Sequence, residues 1–359
     1  MAKSTWLPGL LLLASCSLFG GSGGGNATAY TECNNPAGRA AWGEARMALT
    51  RGDRPAALPH LIEATSNCPN LVRAHIAYQD IAREVGGDAE QAMVDFYVKE
   101  TEAAAKAGSP VPAYMRARLA ETAYAQSNAL DAILASHETF AWGHLSRGRV
   151  NRGQGRLSEA LQNLDQAISL DDKLIEARLE RAQVLVELGR DMEAAVEYRA
   201  YWDANPADTA AAREYLTLLL YRLEDHVDEA SQLIDYLQRS DQSLALRMDR
   251  AAVLWRGGRA DAAIEVYLEI LEQDPKMARA ALNIGLLYYE VVPKEEVDKI
   301  RYWPKARAAF QLFMQKSDPQ DGHEQFERTW AVPYRLRRIG ELLGPATVTP
   351  TLELLRWPK

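Results

Sequence analysis

Between Ala141 and Asp208 the apolar positions fall at helical spacing, and the whole pattern is written twice. The stretch AWGHLSRGRVNRGQGRLSEALQNLDQAISLDDKL, from Ala141 to Leu174, superposes on IEARLERAQVLVELGRDMEAAVEYRAYWDANPAD, from Ile175 to Asp208. Gly148 falls on Ala182, Gly155 on Gly189, Ala160 on Ala194, Leu164 on Tyr198 and Asp172 on Pro206, each pair 34 residues apart. Each copy predicts two short helices, Arg178–Leu188 and Asp191–Ala204 in the second. Gly189 separates them, where a chain leaving a helix often turns left-handed. Asn205-Pro206 ends the second helix, because proline has no amide to donate and its ring clashes with the preceding turn. Ala182 and Ala194 let the helices approach closely, and Tyr198 fills the space between neighbours. One such hairpin cannot bury its apolar side alone, so hairpins stack. An alanine-rich bundle would share Ala160 and Ala194. It would not share the joint recurrence of small residue, turn glycine, bulky residue and helix stop.

This combination resembles the tetratricopeptide repeat family. The resemblance implies an all-α fold, a right-handed solenoid of about eight helix pairs that binds protein partners. The first pair runs from about Gly38 to Leu71, with Gly52 at the turn, then Ala57, Leu61 and Pro69. The second, Val72 to Gly108, has Gly86-Gly87, Ala92 and Phe96. The third fits poorly, with helices expected over Ala113–Ala125 and Ala129–Glu138. The sixth, about Thr209–Ser240, keeps Ala230 and Ile234 but has no turn glycine. The seventh restores Ala251, Gly258, Ala263, Tyr267 and Pro275. The eighth starts at Gly285 and resumes at Ala306 and Phe310 after an insertion, Val291–Tyr302, which Pro293 marks as a projecting loop. Beyond Pro319, short helices over Glu324–Trp330 and Tyr334–Leu343, parted by Pro333, read as a cap carrying Arg335, Arg337 and Arg338. The apolar cluster Leu352–Trp357 is a candidate for docking back onto the array.

The amino terminus follows another logic. Lys3 and the apolar stretch Leu7–Ala14 form an export signal too short to span a bilayer. Leu13-Ala14-Ser15-Cys16 looks like a bacterial lipobox, in which the cysteine is acylated. A plain secretory signal with an incidental cysteine is the alternative. Ser17 after that cysteine, by resemblance to Gram-negative lipoproteins, implies the outer membrane and a periplasmic body. The chain thus divides into a signal (1–15), a Gly/Ser-rich flexible tether (16–36), a repeat array (37–319) and a capping segment with its tail (320–359). With Cys16 given to lipid, Cys33 and Cys68 remain, at the two ends of the first predicted hairpin that antiparallel helices bring together. They form either a disulfide or two free thiols.

Composition narrows the chemistry. A formal net charge of -8 argues against nucleic acid as a partner. The histidines His60, His75, His137, His144, His226 and His323 are scattered. No HExxH, CxxC or phosphate-binding GxxxxGK[ST] occurs. The GxSxG around Ser22 lacks the flanking strand and helix that a nucleophile elbow requires. No cofactor, metal or catalytic constellation is expected, and the chain is read as a non-enzyme.

In the family the resemblance names, first helices line a binding groove. Carrying that pattern over implies Leu145, Arg149, Arg152, Leu179, Gln183, Val186, Tyr215, Leu219, Arg222, Met248, Ala252, Trp255, Leu282, Leu286 and Tyr289. The surface so drawn is apolar with an arginine edge, and suits an extended or helical protein segment. The competing reading makes these side chains core, or covers them with Leu352–Trp357. The expected role is a lipid-anchored envelope scaffold for a membrane complex of the pilus-secretin or outer-membrane-assembly type. An adaptor for peptidoglycan synthases or hydrolases is the alternative, and a cell-wall enzyme a weaker one.

Overall fold

The computed structural model of the protein describes residues 30, 32–223, 225–318, 320–344 and 350–357, with backbone alone at 101–107 and 323. The expected signal, the acylation at Cys16 and most of the Gly/Ser tether lie outside the described residues. All regular structure among the described residues is helical. The helices gather into two compact units, Met1–Ala212 and Arg213–Lys359, a division that the repeat period does not announce.

Unit 1 stacks five hairpins: α1 (Pro36–Thr50) with α2 (Arg54–Asn67), α3 (Val72–Val85) with α4 (Gly87–Ala107), α5 (Val111–Arg118) with α6 (Ala123–Ser136), α7 (Ala141–Gly153) with α8 (Leu157–Leu170), and α9 (Ile175–Glu187) with α10 (Asp191–Ala204). Second helices pack on the next first helix, as α2 does on α3 and α8 on α9, and α7 touches α9 directly. Local chemistry sets the ends. Asn35 Oδ1 accepts from the amides of Ala37 (2.9 Å) and Gly38 (3.3 Å), which opens α1. The turn glycines Gly155 and Gly189 both take φ +73°, the left-handed conformation the period called for. In the fourth hairpin the small residue of the first helix faces the bulky residue of the second. A Cβ on Gly148 would come within 2.8 Å of Leu164.

The third hairpin departs from the expectation. Its first helix stops at Arg118 rather than continuing to residue 125. Thr122 explains the restart: its hydroxyl accepts from the Ala125 amide at 3.1 Å and caps α6.

Unit 2 begins within α11 (Thr209–Tyr221) and continues through α12 (Val227–Leu237), α13 (Leu244–Arg256), α14 (Ala260–Gln273) and α15 (Ala278–Leu286). A π-helical turn, Leu287–Val291, prolongs α15. The expected loop over Val291–Tyr302 is mostly helix: α16 spans Glu296–Lys316. The reason is a capping box. Glu295 and Asp298 each bond the other's backbone amide, so the helix starts just after Pro293. Gly285 again marks close approach, since a Cβ there would lie 2.5 Å from the Phe310 ring.

The cap also differs from two helices parted by proline. α17 (Gly322–Phe326), a π-helical turn (Glu327–Ala331) and α18 (Val332–Leu343) follow one another without a break. Pro333 sits in the first turn of α18, where its missing amide costs little. α18 packs on α16. Buried Arg307 holds the end of α18 by donating to the Gly344 carbonyl at 2.8 Å, and Arg328 donates to the Met314 carbonyl at 2.7 Å near the end of α16.

The carboxy-terminal cluster docks within unit 2, as α19 (Leu352–Leu355) against α14 and α16. Leu355 is fully buried, and the Tyr288 hydroxyl donates to its carbonyl at 2.9 Å. Trp357 stacks with Tyr288 and Tyr302, each 6.0 Å away between ring centres. Lys305 donates to the Leu354 and Arg356 carbonyls, and Arg356 pairs with Glu265 and Glu272. Both α14 and α16 are second helices of their hairpins.

Candidate partner-binding faces

In unit 1 the expected groove residues separate by role. Leu145 is fully buried in the core. Arg149 and Arg152 of α7 turn to the neighbouring first helix α9: Arg149 meets Glu180 at 2.6 Å, and Arg152 meets Glu187 at 2.6 Å and Glu180 at 3.3 Å. Arg152 also donates to Gln183. Leu179 and Val186 stay half-buried. The arginine edge therefore bonds one first helix to the next and is neutralised there, rather than standing ready for an anionic ligand.

A second cluster forms where the first helices begin. Arg73 on α3 reaches Glu176 on α9, with Nε and Nη2 each donating to a carboxylate oxygen, at 2.8 and 2.9 Å. Its guanidinium also lies over the Trp142 ring, 5.7 Å from the centroid. Glu176 is only 6% exposed, so its charge stands inside the protein, where removing either member of the pair is costly. Beside it, Tyr30 stands edge-on to Phe140 at 5.0 Å, and Phe140 edge-on to Tyr114 at 5.3 Å. Tyr114 and Ser146 share a hydroxyl hydrogen bond of 2.8 Å.

On the same side, Cys33 and Cys68 are joined by a disulfide with their Cα atoms 5.5 Å apart. Gly38 is required here, because a Cβ would overlap the Cys68 sulfur. His75, between Tyr97 (2.9 Å) and the Pro69 carbonyl (3.1 Å), is buried. Desolvation pushes its pKa down to about 4, and the backbone hydrogen bonds only partly oppose this. It is therefore neutral and structural. Between α5 and α6 the short third hairpin leaves an open cleft of about 480 Å³, floored by small residues such as Ala113, Ala117, Ala129 and Ala132.

In unit 2 the same sorting occurs. Tyr215, Leu219 and Leu282 are buried. With Leu145 they correct the expected groove: a helix inside a stack buries a wider stripe than one facing water, and these positions fall within it. Tyr289 is half-buried and stacks on Trp303 at 4.9 Å, so it serves as a bearing for α16. Arg222 lies exposed just past α11. What remains as surface is one stripe of α13. Met248, Ala252 and Trp255 follow one another by four and three residues and are all half-buried. Met248, Trp255 and Leu286 of α15 rest on the unit's core. Nearby, burial raises the carboxyl pKa of Asp249, against the pull of Arg213 and a hydrogen bond from Tyr221. Among the described residues no group of three or more His, Cys, Asp or Glu could hold a metal ion.

The tetratricopeptide repeat family model matches residues 145–209 and 246–290, one stretch beginning in unit 1 and one in unit 2. Both stretches are tetratricopeptide repeats. No curated protein matches it in sequence. Among solved structures it is similar to YrrB, a TPR protein with an unusual peptide-binding site, at 19% identity over 56% of this chain and 98% of that one, TM-score 0.44. It is also similar to pilF of Pseudomonas aeruginosa, at 17% identity over 67% and 92% of the two chains, TM-score 0.36. A third is a tetratricopeptide repeat protein from Parabacteroides merdae, at 12% identity over 84% and 98%, TM-score 0.32.

Tetratricopeptide repeats act as scaffolds that bind proteins or peptides, so the faces above are the places to look. The repeat pattern pointed to the α13 stripe. It did not point to Tyr30, Arg73, Phe140, Trp142 or Glu176. Each of these stands at or before the start of a first helix, outside the positions the pattern repeats. The one available signal was local: Phe140 and Trp142 flank a predicted helix start.

Proposed function

We propose that the chain is an envelope scaffold, moored by acyl chains on Cys16, that takes an apolar segment of a protein partner on the α13 stripe of unit 2. The half-buried row Met248, Ala252 and Trp255, beside Leu286, carries this reading. A tryptophan that is partly seated and partly open is the kind of residue that dominates binding energy. The mooring is supported by Leu13-Ala14-Ser15-Cys16 and the glycine-rich stretch after it. Acyl chains contribute about 0.8 kcal/mol per buried methylene, so several hold a protein firmly. The complex served is of the pilus-secretin or outer-membrane-assembly type.

A photo-crosslinking residue at position 252, activated in intact cells, tests the reading. Capture of a pilus or barrel-assembly subunit supports it. Capture only of wall synthases or hydrolases moves the chain to that class, and no capture removes α13 as the face. Trp255→Ala should lower stability by about 1 kcal/mol, since the ring is half seated, while abolishing capture. Labelling with a fatty-acid analogue, absent in Cys16→Ser, tests the anchor separately.

A further inference from the structure

We propose that unit 1 carries a seat for an aromatic side chain presented by an extended peptide, that Tyr30 fills this seat in cis, and that the Cys33–Cys68 disulfide locks it there.

The seat has a floor and a fixed geometry. Phe140 is the residue just before α7, and Tyr30 meets it edge-on at 5.0 Å. Phe140 is itself braced edge-on by Tyr114 at 5.3 Å, and the Tyr114 hydroxyl is bonded to Ser146 at 2.8 Å. Edge-to-face contact of this kind selects a ring over an aliphatic chain. Tyr30 is half-buried, and burial raises its hydroxyl pKa. It lies outside every repeat, ahead of α1, yet packs on the core that α1 to α9 share, and its ring contact there is with Phe140. A residue of the leading segment thus behaves as a ligand of the array.

The lock lies next to it. Cys33 is bonded to Cys68 at the end of α2. Its carbonyl accepts from Arg39 Nη1 at 3.0 Å, and the Asn35 side-chain amide donates to Asn67 Oδ1 at 3.4 Å. These links hold Cys33 and Asn35 against the end of α2, with Cys33 three residues along the chain from Tyr30. A dithiol can open the lock. It transfers two electrons and two protons, the Cys33–Cys68 bond becomes two thiols, and the dithiol closes to its own disulfide. The leading segment then loses its covalent link to α2 and keeps the hydrogen bonds of Cys33 and Asn35. Its effective concentration over Phe140 falls, and a ring supplied in trans competes better. The natural ligand rests on the reading of the chain as a peptide-binding scaffold, whereas the seat can be tested without it.

The test uses the full chain and a fluorescein-labelled peptide with the sequence of residues 27–34, serine replacing its cysteine, followed by fluorescence anisotropy. The oxidised wild-type chain should bind it weakest. Tyr30→Ala should bind it ~10-fold more tightly or better. Dithiothreitol should shift the wild-type chain in the same direction and leave Tyr30→Ala unchanged. Tyr30→Phe keeps the seat filled and should stay weak, and a peptide with alanine for tyrosine should not bind. Circular dichroism checks that each variant is folded. If a folded Tyr30→Ala binds no better than wild type, or if binding ignores the peptide's ring, the seat does not exist. If only the dithiothreitol shift is missing, Tyr30 is a cis ligand without a lock and that part falls. Crosslinking at position 252 reads a different unit, so its failure and this one are told apart.

Discussion

Unit 1 staples its first hairpin with a disulfide and ties distant hairpins through the Arg73–Glu176 pair and the Tyr30–Phe140 contact, along the line where its first helices start. Unit 2 instead closes its last hairpin with its own carboxy-terminal residues: Leu355 in the core, Trp357 on two tyrosines, and Arg307 holding the end of α18. Both solve the same difficulty, since a stack of hairpins has an apolar face left over at its end. The first solution uses covalent and ionic links between residues far apart in sequence. The second uses burial and depends on one short segment finding its place.

The comparison can be broken most forcefully through the disulfide. Replacing Cys33 and Cys68 by serine opens a loop with a sequence separation of 35 and should cost roughly 3–4 kcal/mol on the chain-entropy account. Hydrogen exchange should show the loss at the helix starts of unit 1 and leave α14 and α16 protected. Leu355→Ala is the mirror experiment. It should cost about 3 kcal/mol, with exchange rising in α14 and α16 while α1 and α2 stay protected.

Acid distinguishes the units next. His75 titrates near 4 when folded and near 6.5 when unfolded, so the unfolded chain binds the proton first. Its contribution is present above pH 6.5 and is lost as pH falls through 4, about 3 kcal/mol in all. Denaturant titrations of wild type and His75→Gln across that window should converge at low pH. The smallest effect is Glu176→Gln, which removes the carboxylate that Arg73 pairs with. Because Arg73 keeps 21% of its side chain in water, the loss should be about 2 kcal/mol, read from denaturation midpoints. A loss in unit 2 rather than unit 1 from any change in unit 1 would undo the contrast.

The sequence carried the hairpins well because their determinants are local. Gly155, Gly189 and the pairing of Gly148 with Leu164 need only neighbours within one repeat. The third hairpin and the long α16 were misread for the same kind of reason. Thr122 and the Glu295–Asp298 box are capping signals a few residues long, and at Val291–Tyr302 Pro293 outweighed the box. The faces were harder. Leu145 and Tyr215 share the spacing of Met248 and Trp255, and only the packed neighbours decide which side chains reach water. Links such as Arg73 to Glu176 depend on how several hairpins add up, and no repeat unit contains that information.

The Tyr30–Phe140 contact also sets the length of a leash. If Cys16 is acylated, the first seated residue is Tyr30 rather than the start of α1, and the run from the lipid to that seat is 14 peptide steps. Fully drawn out, that run measures ~50 Å. The ledge of α7, rather than the first hairpin, is then the point from which unit 1 hangs, and unseating Tyr30 pays out further slack.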